Sequence, residues 1–199
     1  MPAVFDLIMG QVAKMSATVD ILFNCQMGRG RTTTGMVVAC LMRLIRTTTL
    51  QSNPQSPMNE ESDSNDSVDQ EENERKRYMR GEYKIILQQL RVLPHGKLSK
   101  VYVDRAIDTC SHIQDIRGAI YDFKLRAESL EHGTKKHEAT LEVGLNYLIR
   151  YFFLVTFADY LLESQHTVGV DGEFPSFTSW LTDRREITNI IRKSNQDLS

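Results

Sequence analysis

Residues 25–31 constrain this chain more than any other segment, because a cysteine and an arginine stand six positions apart around two glycines, in the order Cys-Gln-Met-Gly-Arg-Gly-Arg. Residues 19–23 before it are almost all apolar and predict a strand buried on both faces, as in a parallel sheet. Residues 33–46 after it follow helical periodicity. The pattern therefore predicts a strand, a tight loop and a helix start, an arrangement that can hold a phosphate against a nucleophile.

The residues of this loop favour the reactive thiolate of Cys25. An ordinary thiol has a pKa of about 8.5 and is mostly protonated at neutral pH, whereas loop N–H groups, a helix N-terminus and a nearby arginine all favour the deprotonated form. Gly28 and Gly30 allow positive φ and let an anion approach the backbone. Arg31 can bind two phosphate oxygens through its planar fork, and Thr32 can donate its hydroxyl to the sulfur.

We therefore predict three catalytic residues, which are Cys25, Arg31 and Thr32. The intervening residues are predicted to contact the phosphate, with Arg29 as a second cation at the loop mouth: Gln26, Met27, Gly28, Arg29 and Gly30. Two alternatives compete with this interpretation. One is a glycine turn with an incidental cysteine. The other is a nucleoside-triphosphate loop, which requires Gly-x₄-Gly-Lys-Ser/Thr, whereas here the lysine is absent and the glycines are too close.

The charge distribution indicates an anionic ligand. Residues 51–74 contain eight acids and no Lys or Arg, and the rest of the chain has 24 basic against 18 acidic residues, a net charge of +6. No basic run with interleaved aromatics supports nucleic-acid binding. We expect a phosphorylated small molecule or phosphoprotein as the partner, and no nucleic acid.

The cysteines and the apolar stretches indicate whether to expect disulfides, a metal site or a membrane span. Three cysteines without close pairing predict no disulfide framework and a reducing, cytoplasmic compartment, with Cys40 and Cys110 as small core residues. No pair has metal-ligand spacing, so neither a metal nor another cofactor is expected. The most apolar stretch, residues 144–162, contains Asn146, Arg150 and Asp159, which are costly at bilayer depth, so we expect a buried helix and no membrane span.

The chain divides into three predicted parts. Residues 1–46 hold a first helix over 3–15, the strand, the phosphate-binding loop and the next helix. Residues 47–74 form an acidic insertion too polar to offset its ordering entropy, and they are predicted to be disordered. Residues 75–199 form a helical remainder. It has a stripe of Tyr83, Ile86, Leu87 and Leu90, breaks at 94–96 and 132–133, helices over 103–117 and 118–131, a long helix spanning Leu141 to Leu162, and a last helix over 183–193.

Residues 23–36 resemble the signature loop of the cysteine-dependent protein tyrosine phosphatase superfamily, and more closely its paladin and phytase-like branch. Residues 81–93 and 150–152 are also similar to that branch. The resemblance implies an α/β class, in which this chain is the C-terminal, mostly helical part of a three-layer fold with few strands of its own. It also implies that this segment belongs to a longer multi-domain chain, whose remaining parts would be its partners.

The resemblance further implies a mechanism. Cys25 would attack phosphorus to form a cysteinyl-phosphate, Arg31 and the loop amides would stabilise the equatorial oxygens, and an aspartate from a separate loop would protonate the leaving oxygen. The implied substrates are phosphotyrosine or inositol polyphosphates. Arg29 favours the second class, because additional phosphates require additional cations.

Two departures from the superfamily pattern keep other functions open. Asn24 stands where a histidine is usual, and the only aspartates upstream of the loop are Asp6, expected on a helix surface, and Asp20, at the start of the strand. One strand cannot form a sheet, so we expect the sheet and the general acid to lie outside this chain. The alternatives are a pseudophosphatase that binds phosphorylated ligands or acts as an interaction module, and an all-helical scaffold with a vestigial loop.

Three further residues invite interpretation. His95 and His112 are expected to be ordinary surface residues without a catalytic role. Trp180, the sole tryptophan, is expected to be a packing anchor.

Overall fold

Helices and the turns between them make up the part of the chain that the computed structural model describes, namely residues 2–16, 18–26, 30–50, 70–167 and 175–197. No strand occurs in these residues, which confirms a mostly helical chain; the three-layer α/β fold as a whole stays a prediction. In chain order the helices are α1 (Pro2–Val12), α2 (Gly30–Leu50), α3 (Gln70–Met79), α4 (Lys84–Val92), α5 (Gly96–Cys110), α6 (Ile116–Glu128), α7 (Lys135–Thr167), α8 (Phe177–Thr182) and α9 (Arg185–Asp197).

Helix α7 is the longest helix and runs through the core, where it packs against α2, α4, α5, α6 and α8. Its second half is apolar around most of its circumference and is buried, as predicted, at Tyr151, Phe152, Leu154, Val155, Phe157 and Ala158. Burial of each leucine, valine or phenylalanine in this set contributes about 1.5–3 kcal/mol. Among the described helices, α7 is also the one whose length and composition would allow it to cross a membrane, a test that a core helix of a soluble protein passes as well.

Helix α1 closes one end of this core. Its predicted apolar face is confirmed, with Phe5 and Val12 buried and Ile8 and Met9 packed against them. The ring centroid of Phe5 lies 5.2 Å from that of Phe157 and 5.4 Å from that of Phe177. Helix α1 is thereby held between α7 and α8, beside α2.

The predicted packing role of Trp180 is confirmed. Its side chain is 2% exposed, and its indole Nε1 donates to Glu163 Oε2 at 3.0 Å. The guanidinium of Arg184 lies 3.9 Å from the Trp180 ring centroid and bonds to the same Glu163 carboxylate. This cluster ties α8 and the start of α9 to the end of α7.

The predicted break at residues 94–96 is confirmed, since α4 ends at Val92 and α5 begins at Gly96. A Cβ on Gly96 would collide with the backbone of Leu90, so only glycine allows the two helices to meet this closely. The buried carboxylate of Asp159 on α7 accepts hydrogen bonds from the backbone N–H of His95 at 2.8 Å and from the Ser99 hydroxyl at 3.2 Å. Asp159 therefore caps the start of α5 from inside the core.

Two helix predictions are wrong in detail. The helix expected over 103–117 ends at Cys110, because Asp115 caps a new helix by accepting the backbone N–H of Arg117 at 2.9 Å. In α4, Leu87 is 37% exposed, and the buried position is taken by Gln89. The amide of Gln89 bonds across to α7, donating to the Phe152 carbonyl at 2.8 Å, and this partner allows a polar side chain to be buried.

The two ends of the predicted acidic insertion are helical. Helix α2 continues to Leu50 and α3 begins at Gln70, so residues 47–50 and 70–74 are helical and the prediction of disorder is wrong for them. Residues 51–69, which were also predicted to be disordered, lie outside the residues that the structure describes. The division into three parts stays a prediction.

The predicted strand over residues 19–23 is also wrong. This segment has no regular secondary structure, and Val19 is 46% and Leu22 94% exposed. A strand needs backbone partners on a neighbouring strand, and the described residues offer none. Of its side chains, Phe23 lies against Gly35 of α2, and Ile21 and Phe23 pack, partly buried, against the core.

Candidate functional site

Residues 19–25 run along α2 in the opposite direction to the helix. The guanidinium of Arg43 donates to the Val19 carbonyl, and the ring of Phe23 lies against Gly35. Six residues of extended chain span about 20 Å, and the eleven residues of helix from 32 to 43 span about 16 Å. The two lengths match closely enough for the segment to deliver its last residue, Cys25, to the first turn of α2.

The sulfur of Cys25 receives a hydrogen bond at that first turn. The hydroxyl of Thr32 donates to Cys25 Sγ at 3.0 Å. Cys25 is half-buried, and Thr32 is only 8% exposed. A hydroxyl has one O–H donor, and that of Thr32 is directed at the sulfur in a buried site. The bond therefore helps to fix the position of the sulfur and places a positive dipole end next to it.

The next threonines support the same turn in a different way. Thr33 and Thr34 are both buried, and the Thr34 hydroxyl donates to the Gly30 carbonyl at 2.7 Å. This is the usual local bond of a threonine inside a helix. Thr32 therefore differs from Thr34 in that its hydroxyl donates to the Cys25 sulfur, whereas the Thr34 hydroxyl donates to a carbonyl of its own helix.

The other predicted site residues are only partly described. Arg31 lies on the exposed side of the first turn of α2, and Gln26 is exposed next to Cys25. Gly30 is the first residue of α2. Met27, Gly28 and Arg29 lie outside the described residues. The structure thus brings together Cys25, Thr32 and the N-terminus of α2.

One residue beside the loop was not predicted as part of the site. The guanidinium of Arg150, on α7, lies over Gly30, so that a Cβ at residue 30 would come within 3.3 Å of Arg150 Cζ and closer still to Nη1. In the sequence, Arg150 is a cation within the most apolar stretch and part of the resemblance over residues 150–152, but neither feature places it beside the loop. Its position depends on the packing of α7 against α2, which no local pattern encodes.

The upstream aspartates occupy other places. Asp6 accepts hydrogen bonds from the backbone N–H groups of Phe177 at 2.7 Å and Thr178 at 3.0 Å, so its carboxylate caps α8. Asp20 is exposed and adjoins Val19, at the end of the segment far from Cys25. Asn24, which precedes the cysteine, is exposed.

The two histidines considered in the sequence differ in environment. His112 is exposed, as predicted. His95 is not an ordinary surface residue, because it is the N-cap residue of α5 and its Nδ1 lies 3.9 Å from a carboxylate oxygen of the buried Asp159.

The other cysteines form a pair between α2 and α5. Cys110 is buried and Cys40 is half-buried, so the prediction of core positions is confirmed for Cys110 and only in part for Cys40. A hydrogen bond from the Cys110 thiol lowers the pKa of Cys40 to about 7, against the opposing effect of burial, and Thr109, Arg105 and Arg43 lower it further. The same pairing raises the pKa of Cys110.

Metal-binding geometry is not found in the described part of the chain, where no three His, Cys, Asp or Glu side chains lie close enough together to hold an ion.

Comparison with known proteins places the loop in a family context. The protein tyrosine phosphatase-like phytase family, whose model carries the description "Inositol hexakisphosphate", matches residues 1–43. Paladin from Danio rerio is 31% identical over 183 residues, covering 88% of this chain and 19% of the relative. Paladin from Homo sapiens is 28% identical over 172 residues, covering 84% of this chain and 18% of the relative.

The chain thus spans about a fifth of the length of these curated relatives. No solved structure matches it significantly. The family match covers α1, the segment along α2 and most of α2, and the paladin matches extend over most of the helical remainder. The chain is therefore related to the paladin and phytase-like branch of the protein tyrosine phosphatase superfamily.

Proposed function

We propose that this chain is a phosphatase-like domain that binds a phosphate monoester in the loop between Cys25 and Arg31 and cleaves it through a cysteinyl-phosphate. The observation that carries the proposal is the hydrogen bond from the Thr32 hydroxyl to Cys25 Sγ at 3.0 Å, at the first turn of a 21-residue helix. A donor to sulfur and a helix N-terminus both stabilise negative charge on that atom. A scaffold with a vestigial loop has no need for either.

The chemistry assigns one role to each residue. The Cys25 thiolate attacks phosphorus, an S–P bond forms, and the ester P–O bond breaks with its electron pair leaving on the alcohol oxygen, which takes a proton from an acid. Arg31 and loop N–H groups bind the remaining phosphate oxygens. Water then attacks phosphorus, the S–P bond breaks, inorganic phosphate departs, and the Thr32 hydroxyl stabilises the returning thiolate.

Inositol polyphosphates are the substrate class that we propose. The description of the matching family model supports it, as does the presence in the sequence of a second arginine, Arg29, two positions before Arg31. The nucleophile must remain reduced, so a reducing, cytoplasmic setting belongs to the proposal.

A second candidate function is binding without turnover, as in a pseudophosphatase. The positions of the upstream aspartates favour it: the carboxylate of Asp6 is occupied by the N–H groups of α8, and Asp20 lies at the far end of its segment. Neither is placed to protonate a leaving group at Cys25. The loop would then capture phosphorylated ligands without cleaving them, because binding requires no general acid.

Trapping the intermediate separates these functions. Purified protein is mixed with phenyl phosphate and, separately, with inositol hexakisphosphate, quenched in acid and examined by mass spectrometry. Phosphocysteine at Cys25 that disappears in Cys25→Ser supports the enzyme. Binding by calorimetry that requires Arg31 but yields no adduct supports the binding module. If neither ligand binds, the scaffold interpretation stands and our proposal is overturned.

The role of Thr32 has a matched control in the same helix. In Thr32→Val the hydroxyl that faces the sulfur is lost with little change in volume, and we expect adduct formation to fall about tenfold, the effect of removing one hydrogen bond to a charged group. In Thr34→Val the lost hydroxyl bonded only to the Gly30 carbonyl. An equal loss in both variants would mean that the threonines support the helix and not the thiolate.

A further inference from the structure

The arrangement around Arg150 identifies a further residue of the site. Arg150 is half-buried on α7, yet within the described residues it forms no ion pair with any carboxylate. Its guanidinium lies over Gly30, the first residue of α2, with Cζ within 3.3 Å of where a Cβ would stand. A larger residue at position 30 would displace it, so glycine there provides the room for this cation.

The ring of Tyr147, which stacks on that of Phe123, holds Arg150 in place. The Cζ of Arg150 lies 5.0 Å from the ring centroid of Tyr147, one turn earlier on α7. The ring centroid of Phe123, on α6, lies 5.7 Å from that of Tyr147 in a stacked arrangement. The guanidinium of Arg126 lies 5.3 Å from the Phe123 ring centroid, at the far end of this series. Gln114 donates to the Tyr147 hydroxyl at 2.8 Å and fixes that ring from the side.

The two ends of the stack differ in their surroundings. Arg126 is exposed on α6, whereas the guanidinium of Arg150 is half-buried over Gly30, the first residue of α2. Stacking restrains a guanidinium before any ligand arrives, so less conformational entropy is lost when it binds an anion. The Arg150 end of the stack is therefore a pre-positioned cation beside the loop.

We propose that Arg150 determines specificity by binding a second phosphate group of the same ligand, an inference that rests on the proposed function. The phosphate held by the loop has three non-bridging oxygens, and the loop amides and the fork of Arg31 provide enough donors for them. A further guanidinium from α7 is left to contact a neighbouring phosphate. The ligand class that fits is a small molecule with two or more phosphates on adjacent positions.

The test compares two ligands in one catalytically silent background. Binding of inositol hexakisphosphate and of phenyl phosphate is measured by calorimetry in Cys25→Ser, alone and combined with Arg150→Leu, Arg150→Lys or Arg126→Leu. We expect Arg150→Leu to weaken the hexakisphosphate about tenfold or more, as loss of one charge-assisted contact implies, and phenyl phosphate less than twofold. Arg150→Lys should fall between, and Arg126→Leu should match the parent protein.

Each outcome has a separate meaning. If Arg150→Leu weakens both ligands equally, the arginine supports the loop and does not select a second phosphate, so the inference fails while the proposed function stands. If it changes neither affinity, the inference fails in the same way. If the parent protein binds neither ligand, both are overturned. Circular dichroism and the thermal midpoint identify a variant that has lost its fold, in which case Arg150→Lys decides through the ratio of the two affinities.

Discussion

The ring of Phe23 lies against Gly35, so close that a Cβ on residue 35 would stand 2.7 Å from Phe23 Cδ1 and 2.9 Å from Cε1. Phe23 precedes Cys25 by two residues, and Gly35 follows Thr32 by three. The contact therefore fixes the distance between the segment that carries the thiol and the helix that carries its hydrogen-bond donor. A glycine on α2 is what allows the two to approach.

Replacing this glycine should lower the reactivity of Cys25 strongly and the stability of the protein only moderately. In Gly35→Ala the added methyl must push the Phe23 ring outward, at a cost of about 1–3 kcal/mol in the free energy of unfolding, as is usual for overpacking. We expect the yield of phosphocysteine at Cys25 to fall on the order of 10–100-fold, because a displacement of about 1 Å has that effect on a reacting group. Mass spectrometry of the quenched reaction measures it, and urea unfolding gives the stability.

A second glycine provides the control. A Cβ at Gly10 of α1 would meet nothing within 4 Å, so Gly10→Ala should raise the free energy of unfolding by about 0.5–1 kcal/mol through helix propensity and leave Cys25 unchanged. Equal adduct yields in Gly35→Ala and Gly10→Ala would show that the Phe23 contact does not position the thiol.

Local patterns were enough to predict the elements that are local in sequence. The apolar period of residues 3–15 predicted α1 with its buried Phe5, and the contact between Thr32 and Cys25 was expected because both flank one short loop. The strand prediction for residues 19–23 was wrong because β-propensity reflects how well a side chain packs on a pleated sheet. The described residues contain no neighbouring strand for this segment to pair with. The packing of this segment on α2 could not be inferred from composition.

Contacts between residues far apart in the sequence could not be predicted, because they depend on how the helices cross. Arg150 is separated from Gly30 by 120 positions, and only the crossing of α7 and α2 brings them together. The buried Gln89 and Asp159 were likewise missed, because each is tolerated only through partners on another helix. A polar residue on an apolar face signals such a partner but does not say which one.

The Cys40 thiol should react with alkylating reagents near neutral pH. Its pKa is lowered to about 7, chiefly by the hydrogen bond from Cys110, and the thiolate is the form that attacks iodoacetamide. We expect the alkylation rate of the tryptic segment 32–43, which contains no other cysteine, to rise with a midpoint near that value. In Cys110→Ala the midpoint should move upward, because the donor is gone.

The variant also tests the alternative that charge alone activates Cys40. Arg105 and Arg43 lower the same pKa without touching Cys110, so a midpoint that stays in place in Cys110→Ala would assign the shift to those arginines. Cys110→Ser, which keeps a hydroxyl donor, should retain most of the effect.

The buried carboxyl of Asp159 should make the stability of the protein depend on pH in a sense opposite to that of most aspartates. Burial raises its pKa, against the hydrogen bonds from the His95 N–H and Ser99 and the attraction of the His95 ring, and Glu163 raises it further. Oδ2 of Asp159 has no hydrogen-bond partner among the described residues. The folded protein therefore holds a proton that the unfolded chain releases, and the free energy of unfolding falls as pH rises from the ordinary aspartate pKa through the raised one.

Asp159→Asn removes this proton and should remove this part of the pH dependence. We expect the difference in unfolding free energy between the variant and the wild type to shift in favour of the variant as the pH is raised from about 4 to about 8, since only the wild type must then bury a charge. Urea unfolding across that range measures it. Repeating the comparison in a His95→Gln background removes the neighbouring imidazole from the comparison. A difference that stays constant with pH in both backgrounds would mean that Asp159 binds its proton equally in the folded and unfolded states.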